Sequence, residues 1–323
     1  MNLTVAAAIP IITVMGCSLL AGLVGNIFLI GFIFKRIRAR SRLTDVLVFN
    51  LAAFDMLHLL FSFLFILPVM MSIFLNKPTS PYNSTSYFCK VLYCLATYTD
   101  LVKLVTIAVL CYCAVHNRRY DKEHLGDRFQ TISIIILVIL WIYPILTVIL
   151  PISANWGTVV YSQTSGLCVL SVSSDHPVQL ITFLLYASIF GIGIPMSITL
   201  VYSVKMLFFI RKKPTKRITF GHSLEDNKFH RADTQLGKVT LRVAVMDFGL
   251  NVPWAIVQSV RVFGVDIRVT ILYYLLIFIS CLGSVFNPFL FYRKETRDKR
   301  QSRCSSPERS KILYAATNRT RIN

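Results

Sequence analysis

Apolar and polar positions separate along this chain in blocks the length of whole helices. Continuous apolar windows fall at about residues 6–34, 44–75, 87–117, 129–153, 178–209, 237–262 and 269–292, with short polar stretches between them. At about 1.5 Å per residue, such windows suffice to cross a hydrocarbon core about 30 Å thick. The runs are continuous rather than alternating, so helices, and not barrel strands, satisfy the backbone in lipid. The pattern predicts an all-α membrane protein, a seven-transmembrane helix bundle spanning residues 1–300. An amphipathic eighth helix is expected at about 293–303, followed by a disordered cytoplasmic tail over 301–323.

Charge sets the expected orientation. The stretches 35–42, 116–128, 211–242 and 293–323 hold 5, 4, 9 and 10 lysines and arginines, which is 28 of the 34 in the chain. The positive-inside rule makes these four segments cytoplasmic and leaves the N-terminus outside, as in a multi-pass protein of the plasma membrane. The formal net charge of +19 therefore reports topology. No nucleic-acid motif accompanies it, so nucleic acid is not an expected partner. The first window is too long for a signal-peptide core and is expected to be retained as a helix.

Several modification sites follow from that topology. Asn2-Leu3-Thr4 and Asn83-Ser84-Thr85 are glycosylation acceptors on the outer side, with Asn83 the better placed. Asn318-Arg319-Thr320 matches too but lies inside and is expected to go unused. The basic run from Arg293 to Arg300 suits an anionic inner leaflet, so membrane lipids are expected partners. Cys304 just beyond it is a candidate for lipidation. Cys17, Cys94, Cys111, Cys113 and Cys281 lie within apolar windows and read as small packing residues. Around Ser165-Gly166, the segments 159–161 and 167–172 have the composition of a hairpin lid.

Polar residues inside the windows are the candidate chemistry. Asp55 sits in the middle of an apolar run from Val46 to Leu75, where an ionisable group is costly unless it faces the bundle interior, water or an ion. Asp100 and Lys103 are three apart on the third window and Asp247 lies on the sixth, four residues before Asn251. Asn26, Ser284 and Asn287 are expected to hydrogen-bond across helices. Pro195, Pro253 and Pro288 each remove a backbone bond and mark helix hinges. The expectation is one polar switch network of Asn26, Asp55, Asp100, Lys103, Asp247, Asn251, Ser284 and Asn287. His58 reads as a packed residue of the second helix. Among the residues there is no metal-spaced cluster and no nucleophile arrangement, so no enzyme and no cofactor are expected.

Taken in order, these segments resemble the class A, rhodopsin-like G-protein-coupled receptors over roughly residues 10–300. Gly25-Asn26 is similar to the family's first-helix pair, and Asn50-Leu51-Ala52-Ala53-Phe54-Asp55 to its second-helix signature. Trp141, Pro195 and Pro253 match the fourth-, fifth- and sixth-helix markers. Asn287-Pro288-Phe289-Leu290-Phe291 matches the seventh-helix motif except at its last position, where the family has tyrosine. The resemblance implies a receptor that transmits an extracellular signal by rearranging its bundle, with a heterotrimeric G protein and arrestin as partners. It also implies a disulfide between Cys89 and Cys168, with Cys94 an alternative partner, and a sodium ion at Asp55.

The chain departs from the family on the third helix. Leu110-Cys111-Tyr112 stands where Asp-Arg-Tyr is usual; counting from Cys89 puts Cys113-Ala114-Val115 there instead. In both registers the arginine is missing, which permits basal activity, weak coupling or none. Arg118-Arg119-Tyr120 lies deeper in the loop and contributes charge. The register also decides which of Asp100 and Lys103 faces Asp55: two carboxylates would share a site or recruit a cation, whereas Lys103 would replace the ion. Asn251 takes the usual place of the sixth-helix tryptophan, with Trp254 just past the proline.

A short outer N-terminus argues for a pocket among the helices, for which Tyr93, Thr97, Tyr98, Arg261 and Tyr273 are the positional candidates. The ligand is a small molecule, lipid or peptide. Monoamines are disfavoured because no acid stands at the usual amine-binding position. Cys281 replaces the lysine of retinal-binding relatives, which disfavours a photoreceptor. The alternative reading is a seven-helix ligand-binding or scaffold protein without G-protein signalling. A transporter or channel ranks third on the strength of the buried charges.

Overall fold

The computed structural model describes residues 5–39, 43–74, 86–116, 126–154, 156–162, 167–171, 177–211, 237–253, 256 and 270–304. Helix α1 (Val5–Ala39) is followed by α2 (Leu43–Phe61), which passes through a π-helical segment (Ser62–Ile66) into α3 (Leu67–Phe74). Next come α4 (Ser86–His116), α5 (Gly126–Ser153) and a hairpin of β1 (Thr158–Ser162) with β2 (Leu167–Ser171). Helix α6 (Pro177–Tyr186) continues through a second π-helical segment (Ala187–Gly193) into α7 (Ile194–Arg211). Helix α8 covers residues 237–253, and α9 runs over Thr270–Cys304.

Six of the described helical stretches are long and apolar enough to cross a membrane: Ile9–Arg38, Leu43–Met71, Phe88–Val115, Ile134–Ser153, Val178–Phe208 and Leu275–Tyr292. They correspond to six of the seven windows. The sixth window is represented by α8, whose described part is shorter. Residues 293–303 belong to the same uninterrupted helix as the seventh span, so the structure does not set an eighth helix apart.

The apolar stretches are not amphipathic in the soluble sense, because their outer faces meet acyl chains. Ile27, Phe28 and Phe34 of α1 and Ile134, Ile139 and Leu146 of α5 point outward, while smaller and polar groups turn inward. Helix α4 is the central post, packing on α2, α5, α7 and the hairpin. One apolar cluster, with Leu47, Leu51, Ile107, Leu110, Met206 and Val243 at its heart, joins α2, α4, α7 and α8. A second one, with Met15, Leu19, Leu59, Met70, Ile277 and Val285, joins α1 to α2, α3 and α9.

Two close approaches depend on missing side chains. A β-carbon added at Gly22 would lie 2.9 Å from Leu59 Cδ1 and 3.1 Å from Val285 Cα, so α1, α2 and α9 converge there only because it is glycine. One at Gly25 would lie 3.3 Å from Pro288 Cβ, which accounts for the small residue before Asn26.

The expected hairpin is present. Strands β1 and β2 pair antiparallel with Tyr161 opposite Cys168, and Cys168 is disulfide-bonded to Cys89 near the start of α4. The Cys89–Cys168 pairing is thus the one formed, and Cys94 is a free thiol. The π-helical segments were not foreseen. In the second, a π turn leaves backbone groups without their regular partner. The Tyr143 hydroxyl of α5 donates to the Phe190 carbonyl there. Pro195 lies just past this segment, where the ladder is already loosened.

Candidate functional site

Asp55 is fully buried on the inward face of α2. Ser284 Oγ donates to its Oδ1 at 2.7 Å and Asn287 Nδ2 donates to its Oδ2 at 2.7 Å, both from α9. The Lys103 ammonium from α4 lies 3.6 Å from Asp55 Oδ1, with side-chain exposures of 4% and 0%. Lys103, not Asp100, therefore faces Asp55. Of the two alternatives, the one with two carboxylates at one site does not form. A buried ion pair of this kind has its large desolvation cost offset by the attraction and by the two extra hydrogen bonds.

Around this pair the other expected members take different roles. Asn26 Nδ2 donates to the carbonyls of Gly22 (2.9 Å) and Ser284 (3.0 Å), tying α1 to α9 beside the carboxylate. Asp247 is buried on α8, hydrogen-bonded to Asn251. A β-carbon at Gly283 would lie 3.3 Å from Asp247 Oδ1, so the glycine lets this acid lie against α9. The Oδ1 atoms of Asn26, Asp247 and Asn287 are buried without a hydrogen-bond partner in the structure.

Asp100 belongs to a second cluster. Its Oδ1 lies 2.8 Å from His58 Nδ1, and the opposite ring nitrogen, Nε2, is 3.3 Å from Cys281 Sγ. Ser62 Oγ is also 3.3 Å from that sulfur. The expected network is thus built of two hydrogen-bonded clusters: Asp100 is bonded to His58 rather than set against Asp55, and Lys103 acts electrostatically on both. His58, read as a packing residue, and Cys281 and Ser62 are the members missed. The signal was present: Asp55, His58 and Ser62 are spaced i, i+3, i+7 and share one helical face.

A third set holds α2, α4 and α5 together. Trp141 Nε1 donates to Asn50 Oδ1 at 3.2 Å, and Asn50 Nδ2 donates to Thr106 Oγ1 at 2.9 Å. Towards the C-terminal end of α4, Leu110 and Cys111 are buried, and Cys111 Sγ lies 3.9 Å from Ser203 Oγ of α7. Tyr112 points outward, its ring edge-on to Tyr202.

Of the pocket candidates, Tyr93 and Thr97 are half-buried and hydrogen-bonded to each other, and Tyr98 packs edge-on against Phe54 with ring centroids 5.8 Å apart. Arg261, Asn2, Asn83, Trp254, Arg118, Arg119 and Tyr120 lie outside the described residues, as do the third inner loop over 212–236 and the tail from 305. Tyr273 and Cys304 are in α9, but their side chains are not among those described. Pro253 is in α8 and Pro288 is inside α9, which continues as a helix through it. Among the described residues no group of three or more His, Cys, Asp or Glu side chains is placed to hold a metal ion.

A comparison with curated protein sequences finds no match. Among solved structures, the fold is similar to squid rhodopsin, with a TM-score of 0.67 and 18% identity over 95% of this chain and 87% of that one. A family model described as 7 transmembrane receptor (rhodopsin family) matches residues 25–291, and so takes in the Asn26, Asp55, Lys103, Ser284 and Asn287 constellation. This multi-pass membrane protein belongs to the rhodopsin family of seven-transmembrane receptors.

Proposed function

We propose that the protein is a plasma-membrane receptor, N-terminus outside, in which an extracellular ligand rearranges the bundle and alters coupling to a heterotrimeric G protein, with arrestin as a further partner. The observation that carries this reading is the pairing of Asp55 on the second span with Ser284 and Asn287 on the seventh, beside Pro288. It couples the bundle's middle to the helix whose inner end leads to the cytoplasmic face. The pairing of Lys103 with Asp55 and the Cys89–Cys168 disulfide support the register counted inward from Cys89. On that count Cys113-Ala114-Val115 occupy the place of the family's acid-arginine-tyrosine motif, and Leu110, Cys111 and Tyr112 lie one turn outward. Neither stretch supplies an arginine, so the resting state is held by the buried ion pair.

In this reading Lys103 is a tethered cation that takes the place of a free sodium ion. A guanine-nucleotide exchange assay on the purified protein, run without ligand against several G-protein families, tests it. Exchange by the unmodified protein is expected to be the same in sodium and potassium. With Lys103→Ala, sodium is expected to lower exchange, because Asp55 is then free to bind it. Exchange indifferent to both the substitution and the salt counts against the switch, and absence of exchange with every G protein counts against coupling.

A further inference from the structure

Asp247 is the buried acid that the receptor reading does not use. Asp45, Asp55 and Asp100 each stand beside a basic side chain, Arg36 at 3.3 Å, Lys103 at 3.6 Å and His58 at 2.8 Å. Asp247 is 3% exposed, its hydrogen-bond partner is Asn251 on its own helix, and its Oδ1 has no donor. A buried acceptor left in this way costs free energy, so an arrangement of the bundle that supplies a donor is favoured by that amount.

Lys103 is the complementary case. Its ammonium is 3.6 Å from Asp55 Oδ1, beyond the roughly 2.7–2.9 Å of a charge-assisted hydrogen bond, and that oxygen already accepts from Ser284. The ammonium is thus attracted to Asp55 without being bonded to it, and it interacts electrostatically with Asp247 as well. Helix α9 brings the two carboxylates to neighbouring residues. Asp55 Oδ1 is bonded to Ser284, and Asp247 Oδ1 lies against Gly283, where an added β-carbon would come within 3.3 Å of it. The flexible four-carbon stem of a lysine lets the ammonium change partner by side-chain torsions. Pro253, six residues beyond Asp247, marks the point about which the first part of α8 can turn.

We propose that Lys103 has two seats: Asp55, which it faces in the structure, and Asp247 Oδ1, which it takes in a second arrangement that promotes nucleotide exchange. Each arrangement buries one ion pair. What changes is the span tied to α4, which is α2 in the first and α8 in the second. One ammonium cannot bond both acids in full, so the two arrangements exclude each other, as a two-state element requires. Gly283 keeps the second seat clear of side-chain atoms from α9. The assignment deepens the receptor reading, on which only its exchange arm rests.

The test is a pulsed electron spin-resonance distance measurement on the full chain in lipid nanodiscs. Nitroxide labels are placed at Arg38→Cys on α1 and Lys238→Cys on α8, both exposed positions, with Cys17, Cys94 and Cys304 replaced by serine. Without further substitution, a major distance and a second one in roughly a tenth of the molecules are expected. Asp247→Asn and Lys103→Met are each expected to lower the second population about fivefold, and the double variant no further than either alone. A purely structural role for Asp247 would not make its effect depend on Lys103. Variants are compared where they keep a cooperative thermal transition. Where Lys103→Met loses it, Asp247→Asn, which removes an unneutralised charge and leaves the amide to bond Asn251, decides. A single distance before substitution, or a second distance that persists in a folded variant, overturns the proposal. In the exchange arm, run in potassium, Asp247→Asn is expected to lower the basal rate several-fold and to have no further effect on Lys103→Met. Loss of the second distance with the same exchange rate, in a coupling-competent preparation, overturns the second seat as the signalling arrangement. Absence of exchange before any substitution instead strikes the receptor reading and leaves the distances to decide the two seats.

Discussion

The Asp55 and Asp100 clusters draw on the same three helices and lie about one turn apart, yet they are finished differently. Asp55 has both oxygens engaged, two hydrogen bonds from α9 and a cation from α4, all out of contact with solvent. Asp100 has one oxygen on His58 and a side chain still 42% exposed. Lys103 and Asp100 are only three residues apart on α4, so neither helix type nor depth explains the contrast. What differs is the facing residue: across from Lys103 is a carboxylate, and across from Asp100 is an imidazole whose far side leads to a thiol. A closed charge pair holds helices together, whereas a charge with a free side is available to something else.

The strongest way to break this comparison is to remove Asp55. Asp55→Ala leaves the Lys103 ammonium buried and unpaired, and is expected to cost about 3–5 kcal/mol of stability. Thermal unfolding of the detergent-solubilised protein measures it, and adding Lys103→Met is expected to recover most of the loss. If the double variant is no better than the single one, the ion pair is not what Asp55 supplies. Next in size is the wall beside the closed cluster. Gly22→Val forces a side chain between Leu59 and Val285 and is expected to destabilise by about 1–3 kcal/mol in the same assay. An unchanged unfolding temperature would mean that α1 shifts without cost. The smallest effect is expected from Asp100→Asn. An asparagine oxygen still accepts from His58 Nδ1, so the cost is expected to be about 1 kcal/mol. A loss as large as that of Asp55→Ala would erase the distinction between the two clusters.

The windows were legible in the sequence because lipid demands unbroken apolar runs. Asp55, Ser284 and Asn287 were legible for the same reason: each is a polar residue where polarity is costly, so it had to face inward. The Cys89–Cys168 pairing came from the family resemblance. The choice between Asp100 and Lys103 was not legible, since it depends on the rotation of α4 against α2, which local spacing leaves open. His58, Ser62 and Cys281 went unread because each alone is an ordinary residue of an apolar helix. Their meaning lies in the meeting of α2 and α9, 219 residues apart in the case of Ser62 and Cys281. Gly22 escaped for a related reason, as the atoms it would strike come from two other helices.

The π-helical segment at Ser62–Ile66 carries a consequence for comparing this chain with its relatives. Such a bulge accommodates one residue more than a regular turn, and each residue of an α-helix turns the chain by about 100°. Beyond Ile66 the bookkeeping of faces begun at Asp55 no longer applies. Alignment to a relative whose second span is regular requires a one-residue gap in this stretch. Without that gap, bundle-facing Met70 would be matched to the outward-facing position of Met71, and the last part of the span would read as divergent where it is merely displaced.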